Sequence, residues 1–379
     1  MRLGDILNIK HGFAFSGDHI IDEDNGVVLV TPGNFRIGGG FQEKKCKFFD
    51  GEIPQEYILN EGDFIVTMTD LSKTIDTLGY SALVPKSSSR IYLHNQRIGL
   101  VQFKNDLCDR GYVYWLMRTR GYQRTIANTS TGSTVHHTSP TKICDYEFTP
   151  PELNVQRRIA EVLSRYDSLI ENYQRQIKLL VEAAQRLHKE WFVDLRFPGH
   201  ESTSIINNLP QGWQKKRITD ILDIKYGKDH KKLKDGTIPV YGTGGIMRYA
   251  NTSLYCGESV LIPRKGSLNN IMLVNGSFWT IDTMFYSIPK IKYAAKIAYF
   301  YLKDLDMYSF NIGAAVPSMT INILSGMEIS LPSDEIRHEF ECIVDNYYQQ
   351  IALLDNQIRN LSEARDRLLP KLMSAEIIV

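Results

Sequence analysis

Two long stretches of the chain place apolar side chains at alternating steps of four and three residues. In the first, Ile159, Leu163, Tyr166, Ile170, Tyr173, Ile177, Leu180, Ala184, Leu187 and Trp191 keep this rhythm. In the second, Phe340, Val344, Tyr347, Ile351, Leu354, Ile358, Leu361, Arg365, Leu368 and Leu372 keep it over the same length. A straight helix drifts by about 20° per heptad, so a 3.5-residue period held this long predicts helices that supercoil. The stretches also share letters: "QIKLLVEAAQRL" (176–187) and "QIRNLSEARDRL" (357–368) agree at seven of twelve positions. Segments of equal length and register are each other's natural partner, and an antiparallel coiled coil of the two is expected. Arg365 is the polar intruder on the seam, a residue that either snorkels outward or fixes the register.

Upstream of each helix the period shortens to β-branched and aromatic runs broken by Gly, Asn and Pro turns. Here too the chain repeats itself. "DILNIKHG" (5–12) returns as "DILDIKYG" (220–227), and "EGDFIVTMTDLS" (61–72) shares its pattern with "CGESVLIPRKGS" (256–267). "YWLMRTRGY" (114–122) parallels "FYLKDLDMY" (300–308), each reading as a short helix; "GSTV" (132–135) parallels "GAAV" (313–316), and "EFTPP" (147–151) parallels "EISLP" (328–332). The offset shrinks from 215 through 195 and 186 to 181, as expected if the second module is a shortened tandem copy. The strands do not alternate regularly with helices, which favours an α+β fold over a doubly wound sheet. The expected architecture is two tandem-duplicated mixed α/β modules, 1–150 and 198–331. They are separated by two long helices, in regions 151–197 and 332–379, forming an antiparallel coiled coil with pseudo-two-fold symmetry. A Pro/Gly/Ser-rich linker, "FVDLRFPGHESTS" (192–204), leads into the second module.

Composition adds bounds. At 379 residues and 43% apolar content the chain can bury two cores. No apolar run approaches the ~20 residues that span a bilayer, and "MRLGDILN" has no signal-peptide core. Five scattered cysteines without CxxC spacing point to free thiols in a reducing cytoplasm. The net charge of +1 hides an asymmetry. Residues 205–331 carry 15 Lys/Arg against 9 Asp/Glu, whereas residues 1–151 carry 16 against 17. The run "KDHKKLK" (228–234) concentrates this charge, which suits contact with phosphates.

Catalytic motifs are missing. "TPPE" (149–152) lacks the polar lead and the aromatic of an amino-methyltransferase tetrapeptide, and "GTGG" (242–245) lacks the Lys-Ser/Thr of a phosphate-binding loop. His136 and His137 have no further ligand at metal spacing, so a loop role is expected. Polar loops offer another chemistry, because Arg and Lys suit phosphates and guanine while Asn pairs with adenine. In the second module the candidates are Lys228, Lys231, Lys232, Tyr241, Thr243, Arg264, Lys265, Ser267, Asn269 and Asn270. In the first they are Asn34, Arg36, Thr69, Lys73, Asn95, Gln96 and Arg97. Two divergent modules on one helical pair would read two different half-sites separated by a spacer that the helices set. The alternative is a coiled-coil scaffold linking two modules that bind something other than nucleic acid.

The motifs "PPELNVQRRIAEVL" (150–163), "KEWFVDLRFPGHE" (189–201), "LPQGWQKKRITDIL" (209–222) and "LIPRKGS" (261–267) resemble those of type I restriction-modification specificity (S) subunits, over essentially the whole chain. The resemblance implies two target-recognition domains alternating with two conserved helical regions, and no catalytic activity in this chain. It implies binding to double-stranded DNA at a bipartite site, and two methyltransferase (M) subunits docked on the helices, with two restriction (R) subunits optional. S-adenosylmethionine, ATP and Mg would then serve partner subunits, with no cofactor here. One departure is the missing "LPxGW" lead-in before "MRLGDIL", a strand expected to be absent or replaced by the tail "SAEIIV".

Overall fold

The computed structural model describes residues 1–44, 46–72, 74–313 and 316–379. The chain divides into two compact units, Met1–Tyr173 with Asn356–Val379, and Gln174–Asp355. The division cuts both long helices, Leu153–His188 and Asp334–Met373, near their middles.

In the first unit a four-stranded antiparallel sheet runs in the order Leu7–His11, Ile98–Phe103, Phe64–Thr67, Ser81–Leu83. A second sheet orders Ile20–Ile21, Lys47–Phe49, Val27–Val30, Ile91–His94 and Ile58–Leu59. Its central pair, Val27–Val30 with Ile91–His94, is parallel, which suits the unbroken apolar run "VVLV" buried on both faces. Helices follow at Arg110–Leu116 and Arg120–Asn128. "YWLMRTRGY" is therefore not one helix: it breaks at Met117–Thr119, where the Thr119 hydroxyl caps the second segment through the Tyr122 N–H. Ile159 and Leu163 of the first long helix share a core with Leu369 and Leu372 of the second, and Asp167 meets Arg365. First-helix numbers rise as second-helix numbers fall, so the segments pack antiparallel.

The second unit repeats the plan with other residues. Its antiparallel sheet runs Leu222–Tyr226, Met284–Pro289, Ser259–Pro263, Met272–Val274. The companion sheet orders Gly245–Ala250, Asp235–Gly242, Ser277–Thr280 and Tyr255–Cys256, again with one parallel pair, Asp235–Gly242 on Ser277–Thr280. Helix Ala295–Asp304 follows. Ala184 and Trp191 share this unit's core with Phe340 and Val344, the Trp191 and Phe340 rings lying 5.9 Å apart.

The seam positions are covered to different degrees. Ile159, Leu163, Ile170, Phe340, Val344 and Leu354 are buried. Tyr166, Tyr173, Ile177, Leu180, Leu187, Tyr347, Ile351, Ile358, Leu361 and Leu368 are half-buried. Arg365 fixes the register: its guanidinium meets Asp167 at 2.5 Å and Asp366 at 2.7 Å. The lead-in strand is present in the second unit, and in the first it is reduced to a single bridge. Gln214–Arg217 pairs with Glu328–Leu331, while Arg2 bridges Glu147 and Leu3 donates to the Tyr146 carbonyl at 3.0 Å, bonds made by the chain's first residues and not by the tail "SAEIIV".

The repeated octapeptide ends on glycine for a steric reason. A Cβ on Gly12 would lie 2.2 Å from the Asn95 carbonyl oxygen, and one on Gly227 would lie 2.0 Å from that of Ile281. The next residue then donates to the last carbonyl of the parallel strand, Phe13 to His94 at 2.8 Å and Lys228 to Thr280 at 2.9 Å. Gly12→Ala and Gly227→Ala are each expected to cost about 1–3 kcal/mol by forcing backbone apart. Hydrogen exchange of the two neighbouring sheets checks this, with protection falling only in the unit that carries the change.

Candidate nucleic-acid interface

In the second unit several strands end at one ridge. Leu222–Tyr226 delivers Tyr226 and Lys228; Ser259–Pro263 delivers Arg264 and Lys265; Met284–Pro289 begins beside them after Asp282 and Thr283. Arg264 donates its backbone N–H to Thr283 at 2.8 Å and its Nη1 to the Asp282 carbonyl at 3.1 Å. Its guanidinium lies 5.2 Å over the Tyr226 ring, which is 52% exposed, so the charge is held at the surface. Residues 306–313 and 316–319 join the ridge: Gly266 N–H donates to Pro317, Met319 N–H to Arg264, and the Tyr308 hydroxyl to Gly266 at 3.3 Å.

Exposed ammonium groups stand on the ridge and in the segment that follows Lys228 in the chain. Lys228, Lys231, Lys232 and Lys265 are exposed and form no ion pair among the described residues. Lys234, the last residue of the same run, is exposed as well. Ser267 is exposed at the turn. Asn269 and Asn270 have other work. Asn269 donates to Asp306 at 3.2 Å and accepts from Met307 N–H at 2.8 Å, while Asn270 Nδ2 donates to the Thr243 carbonyl at 2.7 Å. Their amides hold the ridge loops together instead of standing free for a base. Thr243 is half-buried in that clamp. Tyr241 turns toward the core with its ring 6.3 Å from Phe278, and burial pushes its phenol up.

In the first unit the corresponding edge is less charged, and several expected contacts are corrected. Asn34 is fully buried: its carbonyl oxygen accepts the Thr31 N–H at 2.8 Å and its amide donates to Gln42, closing a turn. Thr69 is buried against His137, Oγ1 to Nδ1 at 3.1 Å. Asn95 is buried and accepts the Arg97 N–H at 3.0 Å. Arg36 lines a groove beside Asp167 and Glu171 of the first long helix. Gln96 and Arg97 are exposed at the tip of the Ile91–His94/Ile98–Phe103 turn. Lys73 lies outside the described residues.

Matching hydrogen bonds in the two units identify equivalent positions, and there the residues differ. Met68 donates its N–H to the Arg97 carbonyl, and its own carbonyl accepts from Thr138 N–H; Arg264 stands in the same bonds with Thr283 and Met319. Thr69 pairs with His137 as Lys265 bridges Ser318. His11 corresponds to Tyr226 and Phe13 to Lys228. Sequence matching had set Thr69 opposite Arg264, one position off. The turns at Gly132 and Gly313 also agree, each placing a valine carbonyl, Val135 or Val316, 2.0 Å from where a Cβ would stand.

Asp70 organises the first unit's loop. It is 2% exposed and accepts from Ser72 N–H, Thr77 N–H, Thr77 Oγ1 and Leu78 N–H between 2.5 and 3.0 Å. Burial alone would raise its carboxyl, but the N–H donors of Ser72 and Thr77 outweigh that and hold it below the ordinary range. A depressed carboxyl contributes stability above its unfolded value, and that contribution is lost as pH falls through the folded one. Asp70→Asn is expected to cost about 1–3 kcal/mol at neutral pH. The gap between variant and parent should close below about pH 4 in thermal unfolding followed against pH.

His136 and His137 lie in a short strand paired with Asp70 and Thr69 and gather no further ligand among the described residues. Glu258, Glu341 and Asp345 do converge, but on the Lys296 ammonium, which takes the position a cation would need. Burial would lower that amine, and the three carboxylates raise it instead. The five cysteines are free, and no described helix is long and apolar enough to cross a membrane.

The chain resembles known proteins in sequence and in fold. The sequence family described as "Type I restriction modification DNA specificity domain" matches residues 1–183 and 210–363. The chain is 26% identical over 307 residues to the type I restriction enzyme MjaIX specificity subunit of Methanocaldococcus jannaschii, covering 71% of this chain and 69% of that one. It is 25% identical over 179 residues to the MjaVIII specificity subunit of the same organism, covering 47% and 39%. Among solved structures, the S subunit of a type I restriction-modification system from M. genitalium superposes with a TM-score of 0.58 at 17% identity. That match covers 98% of this chain and 95% of the other, and it speaks to the fold.

Proposed function

The chain belongs to the type I restriction-modification DNA specificity family, and from that premise we propose that it selects a bipartite double-stranded DNA target, one half-site per module, without itself catalysing any reaction. The observation that carries this reading is one scaffold built twice with different residues at hydrogen-bond-equivalent positions: His11 and Tyr226, Phe13 and Lys228, Met68 and Arg264. A pair of binding modules for a single repeated ligand would have no use for that divergence.

Division of labour within the second module follows from exposure and charge. Lys228, Lys231, Lys232 and Lys265 neutralise phosphates, whereas Arg264, fixed by Asp282 and Tyr226, presents its guanidinium to a base edge. Gln96 and Arg97 play the reading part in the first module. The long helices dock two M subunits and, in a restricting complex, two R subunits. S-adenosylmethionine, ATP and Mg would act in those partners and not in this chain.

Co-expression with the M subunit tests the assignment. The chain should co-purify with it, and the complex should retain duplex DNA in filter binding more tightly than either protein alone. A chain that purifies alone and binds no duplex would favour the scaffold reading.

A further inference from the structure

A cavity of about 690 Å³ lies within the first unit, between the start of helix Arg120–Asn128 and the last turns of the second long helix. Its size falls in the range of small-molecule sites, roughly 300–1,000 Å³. Ile37, Leu369 and Pro370 give it an apolar wall, with the Trp115 indole behind.

The polar groups are unevenly matched. Tyr80 lines the cavity, is only 6% exposed, and its hydroxyl has no hydrogen-bond partner among the described residues. The side chain is covered but the hydroxyl itself is open to solvent, so it is free to donate to an occupant of the cavity. Burial pushes its phenol up, with Arg120 and Arg118 pulling the other way, so it keeps its proton and can donate. The helix start adds two more donors, because the N–H groups of Arg120 and Gly121 have no intrahelical acceptor, while Thr119 occupies that of Tyr122 at 3.2 Å.

The acids at the rim are already neutralised. Glu363 is held by Arg367 and Asp366 by Arg365. Arg118 is spent on Asp167, Tyr114 and the Gly38 carbonyl. Arg120 is exposed and forms no ion pair among the described residues. What is left over is positive and donor-rich, facing an apolar wall.

We propose that this cavity binds a small organic anion, its phosphate or carboxylate taken by Arg120, the helix start and the Tyr80 hydroxyl, and its apolar body lying against Ile37, Leu369 and Pro370. The site is separate from the ridge of the second unit and does not depend on DNA recognition.

Isothermal titration of the full chain with phenyl phosphate, 5′-AMP and inorganic phosphate tests it. At least one of the two organic phosphates should bind at a single site, about tenfold tighter than inorganic phosphate, because the apolar wall contributes. Arg120→Ala should weaken it by about tenfold and Tyr80→Phe by about fivefold, as removal of hydrogen bonds to a charged group implies. Arg264→Ala should leave it unchanged, which separates this site from the proposed DNA surface. The proposal is overturned if neither organic phosphate binds more tightly than inorganic phosphate. It is equally overturned if both cavity variants bind like the parent protein.

Discussion

Alanine in place of Asp167 is expected to destabilise the first unit by about 3–5 kcal/mol, because it leaves the buried Arg118 without a counter-charge and the half-buried Arg365 with Asp366 alone. Arg118 has a side chain only 3% exposed and lies 2.5 Å from Asp167, while Arg365 reaches the other carboxylate oxygen at 2.5 Å. Arg118 also stacks over Trp115 at 4.2 Å and donates to the Gly38 carbonyl at 3.0 Å. One carboxylate thus ties the Gly38–Gly39 turn, helix Arg110–Leu116 and both long helices into a single network. Hydrogen exchange over residues 110–117 and 356–373 should lose protection together, with the second unit's core unchanged. Asp167→Asn, which keeps an acceptor but removes the charge, should fall between parent and alanine variant. A destabilisation below about 1 kcal/mol would place the pair among the weak surface bridges.

The second large effect concerns DNA. Replacing Lys228, Lys231 and Lys232 together by alanine is expected to lower the salt slope of DNA binding by about 3, because three phosphates would keep their condensed counterions. Affinity should fall uniformly across sequences. Arg264→Ala should behave differently, costing about 1–3 kcal/mol on the cognate site and relaxing the preference at one base position, with a smaller change in slope. The contrast follows from how the side chains are held. The three lysines are exposed and without ion pairs among the described residues, whereas Arg264 is fixed by the Asp282 carbonyl and the Tyr226 ring. Filter binding of the complex with its M subunit, run as a salt series, measures both. Equal slopes for the lysine variant and the parent would remove these residues from the contact surface.

Much of the fold is legible in the sequence because it is written twice. The heptads of the long helices and the octapeptide "DILxIKxG" both record packing constraints, and packing is what periodicity reports. The close approach of Gly12 and Gly227 to backbone carbonyls explains why that octapeptide keeps its final glycine. The candidate surface was less legible. Asn34, Thr69 and Asn95 have the residue types of base readers, yet each is buried and closes a local turn or strand pair. Short polar side chains serve turns and bases with the same groups, and only burial tells the uses apart. Tyr226 carries no signal of its own in the sequence, because it ends a strand whose buried residues, Leu222 and Ile224, explain the motif without it. The one-residue slip between Thr69 and Arg264 shows a further limit: loop letters align by spacing, whereas hydrogen bonds align by geometry.

Arg365 shows what a single discordant letter can mean. It interrupts an apolar seam, and the structure uses it for the Asp167 bridge that fixes which residue meets which. A charged residue at such a position specifies register at some cost in stability.

Selection of bound duplexes from a random pool, run on the complex with its M subunit, tests the central claim most directly. The parent chain should enrich two short conserved blocks separated by an unread spacer of constant length, and Arg264→Ala should degrade one block while leaving the other intact. A single contiguous motif, or degradation of both blocks together in that variant, would contradict the assignment of one half-site to each module.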